Sequence, residues 1–315
     1  MNNIPGRNAP DDTAVAVKGL SRAFGKFKAV DNIDLSVARG EVFGFLGPNG
    51  AGKSTTIRML CGLLLPTAGE GTVGGFDIMR QSEEIKKNIG YMSQKFSLYD
   101  DLTIEENIDF FSGIYGVPDE KKKKRMEWVL DMAGIANMRK AITGTMASGF
   151  KQRLALGCAV IHEPPIIFLD EPTSGVDPIS RRRFWNLIYD MSSKGTTVFV
   201  TTHYLDEAEY CDRLALIYRG KIIAEGRPDV MKKEYMHREI LEISASPVIE
   251  ALDVLGRQGF DVALFGSVIH ATVDNAASAI PRIEAALGSA RVAVSHIAPI
   301  RPSLEDVFVS LIEVS

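Results

Sequence analysis

Gly47-Pro48-Asn49-Gly50-Ala51-Gly52-Lys53-Ser54 fits the pattern G-x-x-x-x-G-K-[ST] and follows directly on the apolar run Val42-Phe43-Gly44-Phe45-Leu46. Strand, glycine-rich loop and helix in that order make an anion cradle. The glycines let the backbone curl so that successive N–H groups point inward at phosphate oxygens, and the helix adds its partly positive N-terminus at the same spot. Lys53 supplies a mobile point charge for the outer phosphates. Ser54 offers a hydroxyl to the magnesium ion that travels with ATP, because Mg2+ prefers hard oxygen ligands. Thr55, which opens the helix behind the loop, completes the set of candidate phosphate contacts.

Downstream, Ile166-Ile167-Phe168-Leu169-Asp170-Glu171 is an apolar strand ending in two acids, and an open α/β sheet offers groups to a ligand at such strand ends. Asp170 would hold magnesium through water, leaving Glu171 to polarise the attacking water. A second apolar run, Val200-Thr201-Thr202, delivers His203 to the same edge if the two strands are parallel. The other four histidines, His162, His237, His270 and His296, stand alone in the sequence and read as structural.

Working outward, the 315 residues are enough for two domains, and 45% of them are hydrophobic, enough for ordinary packed cores. A net charge of -4 argues against nucleic acid as a partner. Cys61, Cys158 and Cys211 are odd in number and lack metal-ligand spacing, so they read as buried thiols. No apolar run reaches the ~18 residues of a membrane span, and the polar start reads as a disordered tail over residues 1–12 of a cytosolic protein. Alternating residues from Ala14 to Val37 predict antiparallel strands ahead of the loop; Ile57 to Leu65 predict a helix after it, ended by Pro66 and Gly69. Residues 97–150 carry helical periodicity and read as an insert, with Lys121 to Arg125 its solvated face. Helix Arg181 to Met191 between two buried strands implies a parallel α/β sheet. Beyond a linker at 227–238, residues 239–315 read as strand, helix, two strands, helix, strand and helix, a small ferredoxin-like α+β unit.

In the order of these motifs the chain resembles the ATP-binding cassette (ABC) ATPases over roughly Val15 to Gly226. The resemblance implies a P-loop fold with a RecA-like parallel sheet, an antiparallel β layer and a helical subdomain, with ATP and Mg2+ as ligands. Matched to the family's motifs, Phe24 is the aromatic that stacks on adenine, with Phe27 as the alternative. Gln94 is the glutamine that contacts magnesium at the junction with the helical insert. Ser174-Gly175-Val176-Asp177 is the loop that meets the opposite subunit, and His203 the switch histidine on the terminal phosphate. One motif departs from the pattern: where the family has Leu-Ser-Gly-Gly-Gln, this chain reads Met146-Ala147-Ser148-Gly149-Phe150 before Lys151-Gln152-Arg153. The serine expected at 147 is missing. A one-residue shift would let Ser148 act as donor and N-cap, while Gly149 would keep the backbone close to the γ-phosphate of ATP held by a second cassette.

The resemblance is nearest to exporter-type cassettes that carry a C-terminal appendage ending as Pro302-Ser303-Leu304-Glu305-Asp306-Val307-Phe308 does here. It implies an ATPase that powers a separate transmembrane permease from the cytoplasmic face, working as a homodimer or beside a second cassette. Phe96, Leu98 and Tyr99 would line a groove for a cytoplasmic helix of that permease. The alternative is a soluble ABC-type switch acting on the ribosome or DNA; the single cassette, acidic balance and lack of heptads weigh against it.

Overall fold

The chain opens on two long strands, β1 (Thr13–Phe24) and β2 (Phe27–Ala38), paired antiparallel from Thr13 opposite Ala38 to Phe24 opposite Phe27. The structure is a computed structural model that describes residues 12–95, 97–236 and 238–313. The expected tail lies, all but Asp12, outside the described residues, as do His237 and Phe96. β3 (Val42–Leu46) is buried at every position, as a strand covered on both faces must be. The phosphate loop then leads into α1 (Lys53–Leu60). That helix ends earlier than its apolar spacing predicts. Gly62 takes φ +67 just past the C-cap Cys61, an αL stop, and leaves Leu63 and Leu65 exposed.

β4 (Ala68–Val73) and β5 (Phe76–Asp77) extend the antiparallel layer in the order β2-β1-β4-β5. After α2 (Ser82–Asn88), the short strand β6 (Ile89–Met92) precedes the helical insert. In the insert, α3 (Ile104–Ile114) starts on a capping box between Thr103 and Glu106, followed by α4 (Asp119–Ala133) and α5 (Ser148–Ala159). Ile104, Ile108, Val129, Leu130 and Leu154 pack into one apolar cluster between them. The chain then returns through β7 (Ile166–Asp170), α6 (Pro178–Ser193), β8 (Thr197–Thr202), β9 (Arg213–Tyr218) and β10 (Lys221–Gly226).

The central sheet runs β10-β9-β3-β8-β7-β6, with β9, β3, β8, β7 and β6 parallel and β10 closing as a hairpin. Phe199 of β8 is the hub of its core: ring centroids of Phe43, Phe45 and Phe168 lie 5.6, 5.6 and 5.5 Å away. Because Phe43 and Phe168 both stand level with Phe199 in the ladders, this aromatic cluster fixes the register of three strands. Their carboxyl ends therefore finish side by side. Cys61, Cys158 and Cys211 are buried and free.

Among the described residues, the fold divides into two units, one ending at Pro228 and the other beginning at Asp229. Residues 227–238, expected as a linker, contain the helix α7 (Pro228–Tyr235). The second unit has β11 (Glu239–Ser246), α8 (Val248–Arg257), β12 (Asp261–Phe265), β13 (Val268–Val273), α9 (Ala276–Ser289), β14 (Ala293–Ile300) and α10 (Leu304–Glu313). Its antiparallel sheet is ordered β12-β13-β11-β14, and Leu241, Ile243, Leu255, Ile269, Ile283 and Leu287 form a core of its own.

Candidate active site

Four neighbouring parallel strands end at one edge, and each delivers one piece of chemistry there. β3 ends in the phosphate loop, β8 in Thr202-His203, β7 in Asp170-Glu171, and β6 leads into Ser93-Gln94. The loop's glycines are enforced by close packing: a Cβ on Gly47 would lie 2.2 Å from the Ile217 carbonyl, and one on Gly52, at φ +112, would lie 2.5 Å from that of Ala29. α1 has Gly52 as N-cap and no side-chain cap, so its first N–H groups are left for a ligand.

Lys53 is not the mobile charge its sequence position suggests. It is 4% exposed, its Nζ donates to the carbonyls of Gly47 (2.8 Å) and Pro48 (3.1 Å), and it pairs with Glu171 Oε1 at 3.1 Å. Glu171 Oε2 meets Gln94 Nε2 and His203 Nδ1, both at 3.1 Å. Glu171 thus joins a lysine, an amide and an imidazole. Its backbone sits at φ +47, where a non-glycine residue costs roughly 1–2 kcal/mol. The Glu171 N–H is held there by the Thr201 carbonyl (3.1 Å) and hydroxyl (3.0 Å), which aims the side chain across the strand ends.

Asp170 accepts from Ser54 Oγ (3.0 Å) and Thr201 Oγ1 (2.8 Å) on a single oxygen, Oδ1. Burial pushes its carboxyl up from the usual range, the two hydroxyls oppose that, and the neighbouring Glu171 charge adds to it. A divalent cation beside Asp170 would reverse the shift. Thr201 was not singled out from sequence. Its signal is a polar pair, Thr201-Thr202, at the end of an otherwise apolar strand and directly before His203.

Phe24 and Phe27 are 48% and 63% exposed at the tip of the β1–β2 hairpin, so neither is a core aromatic. β2 carries Ala29 against Gly52, which places this tip on the loop's side of the β layer. Arg22 lies over the Phe24 ring at 4.7 Å. Gln94, expected at the magnesium, is joined instead to Glu171. At the divergent motif, Ala147 is the N-cap of α5, with φ −65 and ψ 148 and no side-chain cap bond. Ser148 is the first helical residue, so it does not take over as N-cap. Gly149 is buried, and a Cβ there would lie 2.4 Å from Ser180 Oγ of α6. Its glycine is thus required by helix packing whatever it does for a ligand. The α5 N-terminus shares a pocket with Arg153, Gly175, Asp177 and Arg183.

Comparison with known proteins decides the family. The family described as ABC transporter matches residues 30–174, and an AAA domain family (putative AbiEii toxin, Type IV TA system) matches residues 144–205. The daunorubicin resistance ATP-binding protein DrrA3 of Streptomyces coeruleorubidus is 34% identical over 303 residues, covering 95% of this chain and 96% of that one. The chain belongs to the ABC transporter ATP-binding proteins. The probable multidrug ABC transporter ATP-binding protein YbhF of Escherichia coli K12 is 51% identical over 230 residues, 73% of this chain; the match spans 40% of that protein's length. Among solved structures, an ATP binding subunit of an ABC transporter aligns with TM-score 0.65 and 28% identity, over 71% of this chain and 93% of that one. The cassette MJ0796, in a dimeric post-hydrolysis state bound to ADP and Pi, aligns with TM-score 0.62 and 27% identity, over 68% and 98%. Nucleotide-binding ABC cassettes therefore share this fold, its RecA-like sheet and helical insert included.

Proposed function

We propose that this chain binds MgATP at the common strand edge, hydrolyses it, and drives export through a separate transmembrane permease on whose cytoplasmic face it sits. The observation that carries this reading is the convergence of Lys53, at the start of α1, with Asp170, Glu171 and His203, at the ends of β7 and β8, beside the glycine-rich loop that follows β3. Gly47 to Thr55 hold the phosphates, and Phe24 or Phe27 offers a π-face to the adenine. The donor set suits magnesium: a serine hydroxyl, one carboxylate and an amide oxygen are hard ligands, and the ion is ordinarily shared with substrate phosphates. Ser54 and Asp170, with the Gln94 amide oxygen once it turns from Glu171, would hold it. When bound, the ion neutralises charge on the phosphate oxygens. Lys53 exchanges its Glu171 partner for phosphate oxygens, Glu171 takes the proton of the attacking water, and His203 keeps Glu171 oriented and reaches the terminal phosphate. The drug resistance in the name of DrrA3 and the multidrug transport in that of YbhF support export as the direction. Among the described residues no helix is long and apolar enough to cross a membrane.

The face offered to that permease is on the helical insert. Tyr99, Phe110, Ile114 and Ile142 are exposed there, with Tyr99 and Phe110 in edge contact at 4.8 Å. Leu98, expected beside them, packs into the core instead, and Phe96 lies outside the described residues.

Hydrolysis on this reading needs two cassettes, each presenting its α5 N-terminus to the other's nucleotide. Ala147 leaves that helix without a side-chain cap, and the Ser148 hydroxyl sits one residue further on, at the first helical position. Ala147→Ser is expected to raise steady-state ATPase several-fold, toward the tenfold to hundredfold that one charge-assisted hydrogen bond of about 1.5–3 kcal/mol allows, and Ser148→Ala to change it less than about twofold. Turnover should also rise faster than linearly with protein concentration. Loss of activity in Ser148→Ala, with none gained in Ala147→Ser, would contradict the assignment.

Residues 13–226 form the cassette on this reading and 239–315 an accessory domain that regulates or stabilises the dimer. The second unit has its own core, and the phosphate loop, Gln94, Asp170, Glu171 and His203 all belong to the first. Truncation after Arg238 is expected to leave ATP affinity within about twofold, measured by titration, since cis contacts are untouched. A folded fragment that no longer binds ATP would overturn this division.

A further inference from the structure

Glu207, on the turn Leu205–Tyr210 that follows His203, is fully buried and outside the set that touches nucleotide. Arg181 Nε of α6 lies 3.4 Å from its Oε1, and the same guanidinium covers the Tyr204 ring at 4.3 Å and reaches Asp206 at 3.5 Å. The Thr173 and Thr202 hydroxyls and the Trp185 indole N–H also face the carboxyl. None of these closes into a well-formed bond: both Glu207 oxygens, Thr173 Oγ1, Arg181 Nε and Trp185 Nε1 are buried without a hydrogen-bond partner of good geometry. A buried carboxylate so placed adds little stability over an apolar side chain, because desolvation offsets the attraction. Its facing groups come from three segments. Thr173 is two residues past Glu171, Thr202 directly precedes His203, and Arg181 and Trp185 belong to the helix that begins at the 174–177 loop.

We propose that Glu207 is a positioning residue for ATP turnover, tying the His203 turn to α6 and to the segment after Glu171 and so setting His203 Nδ1 against Glu171 Oε2. This rests on the hydrolytic role given to Glu171 and His203 above. The loose partners leave room for the tie to tighten as His203 moves toward the terminal phosphate.

The test is a double-mutant cycle on the full chain, with ATP affinity and kcat per nucleotide-binding site measured for Glu207→Gln in the native and His203→Ala backgrounds. Glu207→Gln is expected to lower kcat about tenfold, with ATP affinity within twofold, and to cause no further loss once His203 is gone, the non-additivity of groups acting as a unit. Equal losses in both backgrounds, or an unchanged kcat, would overturn the proposal. If Glu207→Gln does not fold, the near-isosteric Thr173→Val takes its place, with the same pattern expected at smaller size and the same outcomes against it. Normal turnover in Glu171→Gln would instead undo the role given to Glu171. The two failures are therefore distinguishable.

Discussion

Glu171→Gln is expected to leave MgATP affinity near that of the native chain while lowering turnover by about 10²–10⁴-fold, the range a positioned general base supplies. The amide keeps the shape and an acceptor oxygen for Lys53, so the cradle survives. It cannot take a proton from water. The loss should therefore appear in kcat and leave KM alone, the mark of an interaction made in the transition state. Because closure precedes hydrolysis on this account, the variant should also accumulate as an ATP-bound dimer, detectable by sizing in the presence of nucleotide. A variant with native turnover would mean that another group, with His203 the nearest candidate, activates the water.

Lys53→Ala acts earlier, on binding. Lys53 pairs its ammonium with Glu171, and a charge-assisted hydrogen bond to phosphate is worth about 1.5–3 kcal/mol, so two lost bonds predict affinity weakened by roughly 10²–10⁴-fold. The truncation leaves Glu171 buried beside the phosphates with its main counter-charge gone. That repulsion works in the same direction. Removing one partner of a buried pair also costs about 3–5 kcal/mol of stability, so melting without nucleotide should be measured alongside. An affinity within threefold of native would contradict the place given to Lys53.

The phosphate loop, the acidic strand end and His203 were legible in the sequence because each is local: a few consecutive residues state both the turn and the chemistry. Their common edge followed from two apolar runs separated by a helix. β6 was not legible, since its four residues become a strand only by pairing with β7, more than seventy residues on. β4 was hidden for a similar reason, its exposed Ala-Gly-Glu start making sense only against β1. The early stop of α1 was written in Gly62, but the apolar Leu63 to Leu65 beyond it read as more helix. Ser148 was mistaken for a cap because sequence gives the residue type and not the dihedral angles; Ala147 holds the extended backbone of the N-cap position. The second role of Gly149, clearance for Ser180, and the Thr201 bridge between Asp170 and Glu171 are tertiary contacts that no spacing rule encodes.

The central claim is that one edge of the sheet both holds ATP and cleaves it, and the most direct measurement is the chemical state of nucleotide on the Glu171→Gln chain. The protein is saturated with MgATP, separated from free ligand and quenched after a time in which the native chain turns over many times. About one nucleotide per chain is expected, recovered as intact ATP, where the native chain yields ADP and phosphate. Recovery of ADP at the native rate, or of no nucleotide at all, would contradict it.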